Sequence, residues 1–195
     1  MKKVLLGLAL VAGSLAFAQT KTSSSPVGFG IKAGLNVSTI SGDDDSKAKA
    51  GFYGGFFANI PVASSFSVQP EVLYNGVGAK ADAGADDATL NLSYISVPVM
   101  FQYNALPNLY LEAGPQFSFL IDSKVKYQSV SADANDFIKG FDFGIGIGAG
   151  YYFTPNIGVT ARYVAGVTDI AKETNGIQAE GKNNVFQVGL AYKFK

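Results

Sequence analysis

Apolar residues alternate with small or polar ones along most of this chain, and the period of two is most legible over residues 141–163. One set of positions reads Phe141, Phe143, Ile145, Ile147, Ala149 and Tyr151; the other reads Asp142, Gly144, Gly146, Gly148, Gly150 and Tyr152. Residues two apart share a face of a strand, so this is a strand with one apolar face and one nearly bare face. Thr154-Pro155-Asn156 reads as a tight turn, because Pro presets φ and Asn tolerates turn geometry. A further strand then sets Ile157, Val159, Ala161 and Tyr163 against Gly158, Thr160 and Arg162. The second face is too small and too rich in glycine to coat an exterior. It fits the crowded inside of a narrow barrel whose apolar side meets lipid.

The same alternation predicts six more strands. Residues 27–37 place Val27, Phe29, Ile31, Ala33, Leu35 and Val37 opposite Gly28, Gly30, Lys32, Gly34 and Asn36. Residues 51–60 read as a strand with Phe52, Phe56 and Ile60 outward, although Tyr53 and Phe57 leave its facing ambiguous. Residues 66–75 set Phe66, Val68, Pro70, Val72 and Tyr74 against Ser67, Gln69, Glu71, Leu73 and Asn75. In the next strand Ile95, Val97, Val99, Phe101 and Tyr103 oppose Tyr94, Ser96, Pro98, Met100 and Gln102. Residues 109–119 direct Leu109, Leu111, Ala113, Pro115, Phe117 and Phe119 outward, with Tyr110, Glu112, Gly114, Gln116 and Ser118 inward. The last strand carries Phe186, Val188, Leu190, Tyr192 and Phe194 opposite Gln187, Gly189, Ala191 and Lys193. Pro70, Pro98 and Pro115 inside these strands cost ladder hydrogen bonds or demand bulges.

The prediction is an all-β, eight-stranded antiparallel up-and-down transmembrane barrel. Short turns near residues 63, 106 and 155 alternate with longer polar loops at 38–50, 76–89, 122–139 and 169–184. That alternation suits brief periplasmic turns, four longer extracellular loops and both termini in the periplasm.

Charge sharpens the register. Lys32, Glu71, Glu112, Asp142, Arg162 and Lys193 all fall on the faces assigned to the interior, and the outward faces carry no charge. Reversing the register would expose three basic groups to lipid, at about 2 to 4 kcal/mol each near the midplane. Glu71, Glu112 and Arg162 lie at similar depths above the turns, and the planar fork of Arg162 can engage both carboxylates. This cluster, with Lys32 nearby, is expected to tie the wall together and close the lumen to water.

Composition removes several function classes. Cys, His and Trp are absent, so no disulfide, thiolate zinc site or imidazole base exists, and an outer-membrane acyltransferase or protease would lack its usual base. Lys plus Arg and Asp plus Glu number fifteen each, a balance that gives no reason to expect nucleic acid as a partner. The 23 glycines, 15 phenylalanines and 10 tyrosines belong to closely packed β structure. Residues 28–33 match G-x-G-x-x-A, but no strand precedes them and no helix can follow, so steric thinning of an interior face explains those glycines and no cofactor is expected. Asp43, Asp44 and Asp45 lack the spacing of an EF-hand, and no metal site is assigned.

At the N-terminus, Lys2 and Lys3, an apolar run from Val4 to Val11 and Ala16-Phe17-Ala18 read as a secretory signal with its cleavage site. Residues 1–18 are expected to be removed, residues 19–26 to form a short flexible tether, and residues 27–195 to form the barrel domain.

Several segments resemble a known family: GIKAGLN (30–36), QPEVLY (69–74), YISVP (94–98), YLEAGP (110–115), FDFG with its glycine run (141–150), ARY with Gly166 (161–166) and VGLAYKF (188–194). Together they resemble the outer-membrane β-barrel domain of Bacteroidetes, the PorT-like or "porin family" group. That resemblance implies a small integral barrel in the outer membrane, surrounded by its lipid and inserted by the barrel-assembly machinery. One branch of the group is tied to protein secretion, which implies a possible protein partner through the loops or a secretion system. It brings no catalytic set and no cofactor. The leading expectation is therefore a non-enzymatic barrel with a structural or interaction role. The alternatives are a narrow channel for small solutes or ions, and a soluble secreted barrel binding an apolar ligand.

Overall fold

The structure, a computed structural model, describes residues 26–41, 46–82, 87–127, 130–134, 137–172 and 181–194. In chain order its strands are β1 (Gly28–Ser41), β2 (Ser46–Lys47), β3 (Lys49–Ala63), β4 (Phe66–Asp82), β5 (Asp87–Leu106), β6 (Leu109–Tyr127), β7 (Val130–Asp133), β8 (Phe141–Tyr152), β9 (Ile157–Gly166) and β10 (Lys182–Lys193). Eight of them close an antiparallel barrel, each bonded to its sequence neighbours, with β10 returning to β1. The two-residue β2 and the four-residue β7 are short additions paired with β4 and β6. Closure leaves the barrel no free sheet edge, the condition for placing strands in lipid, where an unpaired backbone group finds no water.

The alternation decides which face goes where. Leu35 (71 %), Phe56 (67 %) and Ile147 (59 %) are exposed on the outside, while Arg162 (5 %) and Glu112 (4 %) are buried within. Among the described residues, the exposed charged side chains of the eight barrel strands are Asp122, Lys124, Lys126 and Lys182, all at the end carrying the long connections. Aromatic pairs stand on the outer face at two levels. Phe66 and Tyr103 meet near the turns at 5.1 Å, and Phe119 and Phe141 meet farther along the strands at 5.6 Å. Such bands suit the two boundaries of an apolar layer.

The ambiguous strand is resolved by space inside. Phe52 and Phe56 face out, and Tyr53 and Phe57 face the lumen. A side chain on Gly30 would collide with the Phe57 ring, and one on Gly34 or Gly189 with Tyr53. Those glycines create the room for two interior aromatics. Gly150 does the same for Tyr110, where a Cβ would stand 2.5 Å from the ring carbon Cε1. The Tyr110 ring is buried and packs on Tyr152, with centroids 6.1 Å apart, so a shift to make room would disturb that pair. Gly150→Val is therefore expected to cost about 1 to 3 kcal/mol by overpacking. Gly28→Val, whose Cβ would meet nothing within 4 Å, should be close to neutral. Urea titration of both variants in lipid vesicles, followed by circular dichroism, checks the contrast.

Three sequence expectations need correction. The regions 38–50, 76–89 and 122–139 are largely strand, because β1 continues to Ser41 and β3 starts at Lys49, β4 continues to Asp82 and β5 starts at Asp87, and β6 continues to Tyr127 with β7 beside it. Polar side chains do not end a ladder once it rises above the apolar layer, since its backbone bonds are made within the sheet. Of the two courses expected of the strand prolines, lost ladder bonds and not a bulge is the one taken: Pro70 pairs with Val99 and Leu73 with Ser96 on the same register, and Pro98 pairs with Gln116 and Phe101 with Ala113 likewise. They interrupt the pairing locally without offsetting it. The irregularities fall elsewhere, between Pro61 and Ala63, between Ser93 and Tyr94 against β6, and between Asn104 and Leu106. The expectations for residues 1–25 and for Asp43, Asp44 and Asp45 lie outside the described residues.

Candidate functional site

The interior is layered along the barrel axis, and each layer follows from the inward positions of successive strands. Nearest the turns, Phe57, Tyr110, Tyr152 and Ala191 form an apolar cluster. Lys193 lies beside it, with its Nζ 4.0 Å from the centroid of the Tyr152 ring. A cation over an aromatic face is attracted by the ring quadrupole, which gives this amine a partner without a carboxylate.

Above this layer Lys32 (β1), Glu71 (β4), Glu112 (β6) and Arg162 (β9) meet at the axis. Arg162 donates from Nη1 to Glu71 Oε2 at 2.9 Å, from Nη2 to Glu71 Oε1 at 2.8 Å and from Nε to Glu112 Oε1 at 2.8 Å. Lys32 Nζ donates to Glu71 Oε1 at 2.7 Å. Two cations and two carboxylates cancel, so the cluster carries no net charge into a region poor in water. The planar guanidinium spans β4 and β6 at once, which a lysine ammonium could not do with the same geometry.

Glutamine and asparagine complete the shell. Gln69 Nε2 donates to Glu71 Oε1 at 2.8 Å, and Gln102 Nε2 donates to Glu112 Oε2 at 3.0 Å. Asn59 Nδ2 donates to Gln102 Oε1 at 2.8 Å, linking β3 to β5 through the interior. Gln69 and Gln102 were legible as inward-facing, whereas Asn59 lies in the strand whose facing the sequence left open; the part of these amides in holding the two carboxylates was not legible, because that depends on which strands face one another across the lumen. Gly148 and Gly146 of β8 leave the space that the Arg162 side chain crosses.

A polar layer follows, in which Gln187 Nε2 donates to Asn75 Oδ1 at 2.8 Å and the Ser96 and Ser118 hydroxyls lie 2.8 Å apart. Asp142 sits at its upper edge, apart from the four-residue cluster. Its Oδ1 accepts from Thr168 Oγ1 at 3.0 Å and its Oδ2 from Asn183 Nδ2 at 3.0 Å. The six interior charges predicted from sequence are thus all on the inner wall, but they form one cluster of four and two separate sites. The physical reason is height: Asp142 opens β8 and Lys193 closes β10, which puts them at opposite ends of the lumen.

The end with the long connections is closed by hydrocarbon. Val77, Leu92, Tyr94, Val164 and Val185 from the wall pack with Ile138 and Ile170 from two of the connections, and Ile40, Leu90 and Leu120 lie against them. Sequence reading missed Ile138 and Ile170, which sit in stretches whose polar composition marked them as loops. Among the described residues, no group of His, Cys, Asp or Glu is placed to hold a metal ion.

Comparison with known proteins agrees with this architecture. The outer membrane protein beta-barrel domain family matches residues 17–172. The chain belongs to that family. Its location is accordingly the outer membrane, and its surroundings are the lipid of that membrane. Among solved structures, the chain is similar to Neisserial surface protein A at 16 % identity, covering 87 % of this chain and 100 % of that one, with a TM-score of 0.58. It is also similar to Ail, the attachment invasion locus protein of Yersinia pestis, at 15 % identity over 87 % of this chain and 100 % of that one, with a TM-score of 0.53. At these identities the likeness is one of fold. No curated protein matches the chain.

Proposed function

We propose that this family member is a non-enzymatic outer-membrane barrel with a lumen closed to solutes, acting through its long connections on the extracellular side. The observation that carries the reading is the filled interior. An aromatic layer, a neutral four-residue charge cluster and an apolar cap succeed one another between the turns and the long connections. An eight-stranded barrel has an interior just wide enough for side chains to fill, so a wet pore would require some of these layers to be missing. The charge cluster then serves as a strut, tying β1, β4, β6 and β9 through the axis.

Short turns and termini share one end, which supports an orientation with both termini in the periplasm. The basic and apolar pattern of residues 1–18 supports secretion by a cleaved signal, a tether at 19–26 and a barrel from 27, followed by insertion through the barrel-assembly machinery. The motif resemblance supports placement in the PorT-like group of Bacteroidetes, with a protein partner reached through the loops or a secretion system. Reconstituted protein in planar bilayers is expected to show no steady conductance. A steady pore of uniform size in the unmodified protein would overturn the closed-lumen reading in favour of a narrow channel.

A further inference from the structure

A water-facing barrel mouth is ordinarily polar, yet here it holds an apolar pocket of about 280 Å³. Ile40 of β1, Leu90 of β5 and Val125 of β6 supply its wall, and Ile138 and Ile170 of the two connections close it on the other side. Among the described residues, Lys80 is the one charged residue lining it. The buried cluster beneath, with Val77, Leu92 and Val164, gives it a floor, so it does not continue into the lumen.

The pocket is held in shape by backbone bonds between the two connections. Ile138 and Ala171 form an isolated antiparallel bridge, Lys139 N donates to Ile170 O at 2.7 Å, and Lys172 N donates to Phe137 O at 2.9 Å. Ile170 N donates to Gly181 O at 2.8 Å. These bonds pair backbone groups of the lining connections with one another, so those groups are not free to bind water or a polar ligand. What is left to offer a ligand, Lys80 apart, is mostly hydrocarbon, and a pre-formed apolar site gains most from a guest that is itself apolar. The volume is roughly twice that of the ~150 Å³ apolar cavity known to take up benzene.

We propose that this pocket is a binding site for small neutral hydrocarbon-like molecules, aromatic or short aliphatic, of about one to two rings in size. The proposal goes beyond the closed-lumen reading and does not depend on it, because a guest held above the floor needs no path through the barrel. A carboxylate or phosphate is disfavoured, since the described lining residues present no cluster of donors to replace its hydration.

The test uses the whole barrel in lipid nanodiscs with its isoleucine methyl groups labelled for NMR, titrated with toluene and with naphthalene. Saturable shifts are expected at Ile40, Ile138 and Ile170, with smaller, unsaturable shifts at the lipid-facing Ile31, Ile145 and Ile147. Ala88→Phe, placed in the pocket wall, should weaken the saturable phase about tenfold or more. Ala88→Leu provides the same comparison if the larger ring prevents insertion. No shift at the pocket methyls, equal shifts at pocket and lipid-facing methyls, or saturation unchanged in a folded Ala88 variant would each overturn the proposal.

Discussion

Arg162→Leu is expected to destabilise the barrel by about 3 to 5 kcal/mol while leaving bilayer conductance at baseline. The guanidinium makes three hydrogen bonds to two buried carboxylates, and its loss leaves Glu112 with Gln102 and Glu71 with Lys32 and Gln69. One cation then faces two carboxylates in a site from which water is largely excluded, and an uncompensated buried charge is what makes half-removal of an ion pair so costly. Neutralising the whole cluster together (Lys32→Met, Glu71→Gln, Glu112→Gln and Arg162→Met) should recover much of that loss, since no charge remains to be desolvated. Urea unfolding in vesicles and heat-dependent gel mobility measure the first expectation, and planar-bilayer recording measures the second. A steady pore in Arg162→Leu alone would mean that this side chain is a stopper rather than a strut. An unchanged unfolding midpoint would mean that the cluster contributes nothing to the wall.

Ile147→Arg should cost about 2 to 4 kcal/mol, while Ile157→Arg should cost at most about 1 kcal/mol. Ile147 projects outward from the middle of β8, beside Tyr163 of β9. Ile157 opens β9 next to the turn, where an arginine can reach the interface. In a soluble barrel both sites would be ordinary surface, and both substitutions would fall within about 0.5 kcal/mol of neutral. Unfolding in vesicles of both variants therefore separates a lipid-facing outer surface from a water-facing one, through a dependence on depth that water does not impose.

Much of this was legible in one dimension because a strand has a period of two and a charge facing lipid is costly. Lys32, Glu71, Glu112, Asp142, Arg162 and Lys193 could be placed on the inner wall from parity alone. The residues 51–60 could not be read so simply, since Tyr53 and Phe57 are as apolar as the outward Phe52 and Phe56. Their facing depends on vacancies at Gly30, Gly34 and Gly189 of neighbouring strands. Strand ends were misjudged because composition changes where the apolar layer stops, whereas the hydrogen-bonded ladder runs on.

Local alternation along each strand was sufficient to determine the fold class, the strand count and, for every ribbon but the one over residues 51–60, which side faces outward, because those follow from the spacing of side chains along a single segment. Which interior groups touch was decided only by closure of the barrel. Stagger between strands brings Arg162 to Glu71 across ninety-one positions of sequence and sends Asp142 and Lys193 to opposite ends. It also carries Ile138 and Ile170 over the mouth, where the folded chain builds an apolar pocket from residues whose neighbours in sequence are polar. Such contacts depend on distances around the barrel, which no local period encodes.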